Sequence, residues 1–244
     1  MREDDVVESV SLVSMSEPTK PARPIELAEV DAAQSAPPTS ILAVAEALLQ
    51  SPKRVLNGIR ESNGTTLRLM ALAFVSMSIS GLVMAIFGGG IQLLLVPLKV
   101  SLGLFFCALI CFPSLHIFSC LSGAQQSAKE TWGALTMSLA LMGILLVGFA
   151  PIAWVFSQAT SSSAFMGTLH LLFLLVSCGF GVGLLQRALQ SLNPAPLRGI
   201  WMWGALFVFV MLQVSTTLRP LVGPFDGHLF HERLFFLEHW LTQG

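Results

Sequence analysis

From Leu67 to Thr217 the chain carries six formal charges, on Arg68, Lys99, Lys129, Glu130, Arg187 and Arg198. Between them lie apolar runs long enough to cross a bilayer. A hydrocarbon core of ~30 Å takes ~20 mostly apolar residues as helix. This pattern predicts an all-α integral membrane bundle. Composition agrees, with 11% charged residues against ~25% in soluble domains, and a mean hydropathy of +0.74. A net charge of −1 leaves no electrostatic footprint for nucleic acid.

The apolar runs predict five transmembrane helices within residues 67–218. They cover about Arg68–Phe87, Ser101–Leu121, Trp132–Phe156, Ala164–Leu185 and Ile200–Thr217. Gly88, Gly89 and Gly90 end the first. Ile91–Val100, with Pro97 and Lys99, reads as an interfacial or re-entrant approach to the second. An odd count puts the two termini on opposite sides. Lys and Arg near the span ends choose between orientations. With the N-terminus inside, Lys53, Arg54, Arg60, Arg68, Lys129, Arg187 and Arg198 are inner, and Lys99, Arg219 and Arg233 are outer. The excess predicts a cytoplasmic N-terminus and an outside C-terminus.

The flanks are of different character. Residues 1–39 read as a disordered cytoplasmic tail, acidic and broken by Pro18, Pro21, Pro24, Pro37 and Pro38; such a segment buries too little apolar area to offset the entropy of ordering. It lacks the basic start and apolar core of a secretory signal. Val6–Val13 is its candidate partner-binding segment. Residues 40–66 hold an amphipathic helix, Ile41–Gln50, with Ser40 as N-cap and Pro52 as its stop. Lys53, Arg54 and Arg60 follow as a basic juxtamembrane collar. Residues 219–244 form an outer-face turn and an amphipathic interfacial helix, His228–Thr242, with His228, His231, Glu232, Glu238 and His239 on one side.

Ionisable groups at membrane depth are functional candidates, and two histidines stand out. His116 and His170 make either a proton relay or soft-cation site, or interhelical hydrogen bonds averaging ~0.6 kcal/mol. Gln213 and Arg219 close the last span, where Arg219 either complements the helix C-terminus or contacts an anion or lipid headgroup. Pro113 and Pro151 predict kinks. Gly81, Ala85 and Gly89, and then Gly179, Gly181 and Gly183, predict close helix packing. Cys107, Cys111, Cys120 and Cys178 all fall in apolar stretches and are expected as free thiols behaving as small hydrophobes. The predicted spans hold no Asp or Glu, which argues against an ion-coupled transporter. The His228-x-x-His231-Glu232 cluster has zinc-compatible residue types, but not the His-Glu-x-x-His order. No phosphate loop, nucleophile elbow or kinase set is present. The reading is a non-enzymatic protein with no catalytic, cofactor or metal residues assigned.

Two resemblances follow. Cys111-Phe112-Pro113-Ser114-Leu115, with Gln213, Leu218-Arg219-Pro220 and Gly223 closing the last span, resembles a family of uncharacterised bacterial multi-spanning inner-membrane proteins, over roughly residues 65 to 226. That resemblance implies a bacterial inner (plasma) membrane. Five spans behind a cytoplasmic tail are loosely similar in architecture to the Yip family of trafficking proteins, which implies a membrane scaffold that binds partners. The expected function is a scaffold or accessory subunit for a membrane-associated partner, with a channel or uncoupled small-solute transporter as the alternative. Expected partners are the lipid bilayer and either another membrane protein or further copies of this chain.

Overall fold

The computed structural model describes residues 40–61, 63–88, 92–123, 125–160, 162–192 and 199–217. They form seven helices and, among the described residues, no strand: α1 (Ile41–Gln50), α2 (Pro52–Glu61), α3 (Asn63–Gly88), α4 (Gln92–Leu121), α5 (Ala128–Ala159), α6 (Ser163–Leu192) and α7 (Ile200–Thr217). Four of them, α3 to α6, are long and apolar enough to cross a membrane. At 1.5 Å per residue, α4, α5 and α6 run about 45 to 48 Å, so their ends extend past a ~30 Å hydrocarbon core. The segment expected as a fifth span is a helix, α7, but it is shorter than those four and its last turns carry Gln213, Ser215, Thr216 and Thr217.

Side-chain contacts fix the register. Gly81 meets Pro97 and Ser78 bonds Ser101, so α3 and α4 are antiparallel. Phe149 stacks on Phe173 and Phe156 meets Phe165, so α5 and α6 are antiparallel. Trp203 reaches Cys111 while Gly199 lies against Phe118, so α4 and α7 are antiparallel too. Gly143 of α5 approaches Ser76 of α3, and Ile59, just ahead of α3, meets Gly133 near the start of α5. These helices run parallel. The starts of α3, α5 and α7 and the ends of α4 and α6 therefore share one end of the bundle. Between its turns α5 buries an unbroken run from Gly133 to Ala140, with α3 on one side and α6 on the other.

Small residues make the closest approaches. A Cβ on Gly81 would stand 2.8 Å from the Pro97 Cα, backbone against backbone. Gly181 packs on Met142, and its carbonyl accepts from the Ser138 hydroxyl at 2.6 Å. Gly179 and Gly183, in contrast, have nothing within 4 Å of a built Cβ. Within the chain the predicted packing role thus holds for Gly81 and Gly181, while Gly179 and Gly183 make no such contact inside one copy.

The expected interfacial approach at Ile91–Val100 is corrected, because Gln92–Leu121 is one helix. Pro97 removes one bond, to the carbonyl four residues earlier. The flanking turn is held by other means: the Ser101 hydroxyl donates to the Pro97 carbonyl at 2.8 Å, and Gly81 seats the Pro97 backbone. Pro113 and Pro151 likewise sit inside unbroken helices.

The short helices also differ from a bare collar. Ser40 caps α1 as expected, its Oγ accepting from the Ala43 N–H at 3.0 Å. The collar itself is helical: Pro52 opens α2, where its missing N–H costs nothing. Val44, Ala47 and Leu48 of α1 and Val55, Leu56 and Ile59 of α2 are buried in the bundle core. The two form a hairpin seated on α3 and α5. The bundle end that carries it is called the hairpin end below.

Candidate functional site

One cluster of polar contacts links four helices at the hairpin end. Its base is the start of α5. Ser127 is the N-cap and Glu130 the third helical residue, and they form a reciprocal capping box. The Ser127 N–H donates to Glu130 Oε2 at 2.9 Å and the Glu130 N–H donates to Ser127 Oγ at 3.2 Å. Two otherwise unpaired helix donors are thereby satisfied. The other carboxylate oxygen accepts from Arg60 Nε at 3.0 Å.

Arg60 is the last-turn cation of α2. Besides Glu130, its Nη2 donates to the carbonyl of Leu192 at 3.2 Å, the final residue of α6. One guanidinium thus ties the hairpin to the start of α5 and the end of α6. Cations at helix C-termini are favoured by the helix dipole. Beneath it, Ile59 fills the space left by Gly133, and Thr65 packs on Gly58.

The next residue, Thr131, carries a second linkage. Its hydroxyl donates to the Ser127 carbonyl at 3.1 Å. That proton being committed, the Thr131 oxygen accepts from His116 Nδ1, 3.3 Å away on α4. His116 is then the Nδ1–H tautomer, and its Nε2 lone pair faces Cys120 Sγ at 3.8 Å. The imidazole lies over Phe112, which meets Trp132 edge-on at 5.1 Å. A thiol, a base and a group orienting that base are in sequence, the arrangement that activates nucleophiles generally. Cys120 is exposed, whereas Cys107, Cys111 and Cys178 are buried; all four are free. All four are free thiols, as expected, and Cys120 differs from the other three in lying exposed, one residue from the end of α4.

The two candidate histidines are not brought together. His116 lies 5 residues from the hairpin end of its helix and His170 lies 22 from that end of α6, counting back from Leu121 and Leu192. The difference corresponds to about 25 Å along the axis. His170 lies level with Pro151 in the α5–α6 register, and its Nε2 is buried without a hydrogen-bond partner. Gln213 lies near the end of α7, partly buried. Arg219 and the His228, His231 and His239 cluster fall outside the described residues, as do the tail and Val6–Val13. Among the described residues, no group of three or more His, Cys, Asp or Glu converges on a metal position.

Thr131, Cys120 and the Arg60–Glu130 pair are absent from the sequence candidates. The four-residue spacing of His116 and Cys120 puts them on one helix face and was a usable signal for that pair. Nothing local joins Arg60 to Glu130, seventy positions apart.

The helices define the class: an all-helical, multi-pass membrane protein. Compared with models of protein families, with curated proteins and with solved structures, the chain matches none.

Proposed function

We propose that this protein is a non-enzymatic scaffold or accessory subunit that holds a membrane-associated partner at its hairpin end. The observation that carries the reading is the seating of α1–α2. The hairpin buries one apolar face in the bundle and is clamped by Arg60 to two other helices. Its opposite face is free, with Leu42 83% and Leu49 58% exposed beside exposed Glu46, Lys53, Asn57 and Glu61. Exposed leucines beside polar and charged side chains, on a helix pair held rigid, fit the apolar centre and polar rim of a protein interface. In this reading α7 is the fifth span, the hairpin end is cytoplasmic and the C-terminus lies outside, in a bacterial inner membrane. The basic residues Lys53, Arg54, Arg60, Lys129 and Arg187 then fall on the cytoplasmic side, as the distribution of Lys and Arg favours.

The test is partner retention. The intact protein is purified from its own membrane in mild detergent, beside a Leu42→Asp, Leu49→Asp variant. A stoichiometric foreign subunit, lost from the variant while the bundle stays monodisperse, supports the proposal. Equal retention by both removes the hairpin face from it.

The second reading, a channel or uncoupled transporter, draws on His170, a buried polar group without a partner level with a proline in the neighbouring helix. Prolines in spanning helices accompany midplane substrate sites in some transporters. Solute flux in reconstituted vesicles that changes on His170→Ala would favour it. Unchanged flux would remove it.

A further inference from the structure

We propose that Cys120 is a site of S-acylation, with His116 as the base that takes the thiol proton and Thr131 as its positioning residue. The inference is independent of the scaffold reading. It rests on three observations at one point of the fold. The first is access. Cys120 is exposed, whereas the other three cysteines are buried.

The second is geometry. His116 Nε2 stands 3.8 Å from Cys120 Sγ. The Thr131 hydroxyl, itself donating to the Ser127 carbonyl, accepts from Nδ1 and turns the unprotonated nitrogen toward the thiol. A nucleophile, a base in reach and a third group orienting the base are the parts needed for transfer to a thiol.

The third is the apolar surface beside the thiol. At 100° per residue, Ile117 and Leu121 flank Cys120 on the side away from His116. They are 57% and 79% exposed. Cys120 is one residue from the end of a membrane-length helix, a juxtamembrane position. A chain attached to Sγ has a continuous apolar track along Ile117 into the bilayer. The chemical class that fits is a long-chain acyl thioester, an amphiphile that collects at the membrane boundary. Juxtamembrane cysteines are the positions at which such acylation occurs.

The step balances without a redox partner. His116 Nε2 takes the Cys120 proton as Sγ attacks the acyl carbonyl carbon. The tetrahedral intermediate collapses, the donor C–S bond breaks, and the departing thiolate takes the proton back from His116. The products are a Cys120 thioester and the free donor thiol.

The test uses the full chain in phosphatidylethanolamine–phosphatidylglycerol vesicles with an alkyne-tagged palmitoyl thioester of coenzyme A. One hydroxylamine-labile label per chain is expected, absent from Cys120→Ser. His116→Phe should slow labelling by ~100-fold or more, the usual worth of a positioned base. Thr131→Val should slow it as well, and Thr131→Ser should restore it. Maleimide labelling of the same variants reports whether Cys120 stays accessible and the bundle folded. No label on the native chain, label persisting in Cys120→Ser, or an unchanged rate in an accessible His116→Phe protein would each overturn the proposal.

Discussion

The indole N–H of Trp203 donates to the backbone carbonyl of Cys111 at 3.2 Å, within the bundle core. The same N–H lies 3.1 Å from the Ser114 hydroxyl, which donates to the Cys111 carbonyl at 2.7 Å. One ring on α7 thus braces the turn of α4 around Pro113, and Phe207 stacks on it at 5.5 Å. The bond explains how a shorter helix is held to the long ones. Trp203→Phe keeps most of the apolar contact and loses the bond, so a cost of ~0.6 kcal/mol is expected. Trp203→Ala also leaves a cavity, for about 3 kcal/mol or more. Unfolding in mixed micelles measures both, and an unchanged stability in Trp203→Phe would show that the bond contributes nothing.

Glycines of similar sequence context should respond oppositely to the same substitution. Gly81→Ala drives a methyl against the Pro97 Cα, and backbone cannot swing aside. A loss of ~1–3 kcal/mol is expected from overpacking. Gly183→Ala meets open space and gains helix propensity, so its stability should be unchanged or slightly raised. The same micelle unfolding assay checks the pair. A loss at Gly183 matching that at Gly81 would mean that copies of this chain pack there.

The Arg60–Glu130 contact joins the hairpin to the start of α5, so Glu130→Gln should modestly speed amide exchange across α1–α2 while the rest of the bundle is unaffected. Exchange unchanged from the native protein would contradict the clamp.

Arg60→Ala should loosen the hairpin without unfolding the bundle. The side chain is half exposed and the pair itself is worth little, ~1 kcal/mol or less. The buried Ile59 beneath it carries more, so Ile59→Ala should cost about 2–4 kcal/mol in hairpin attachment. Protease sensitivity around Ser51 reads both, and the order Ile59→Ala above Arg60→Ala is the expected result.

The long helices were legible because each is a run of apolar residues with few charges, and bilayer thickness sets their length. Ser40 was legible because an N-cap is a local signal. Continuity through Pro97 was not, because it depends on Gly81 of another helix and on Ser101. The helix at Pro52–Glu61 was read only as charge; its apolar face of Val55, Leu56 and Ile59 was legible at the four-residue spacing. Of the site, His116 was found as an ionisable group in an apolar run. Its partner Thr131 could not be, because the link crosses from α4 to α5. The exposure that sets Cys120 apart from the other cysteines was not legible, because all four sit in apolar stretches and packing decides which are covered.

The most direct measurement is site-specific photocrosslinking in the native membrane from two positions, Asn57 on the outer face of α2 and Phe106 on the exposed side of α4. The account predicts one discrete foreign-protein adduct from Asn57, lost when Leu42 and Leu49 are both changed to Asp, and lipid adducts alone from Phe106. No protein adduct from Asn57, or crosslinks there only to further copies of this chain, would contradict a scaffold working through its hairpin.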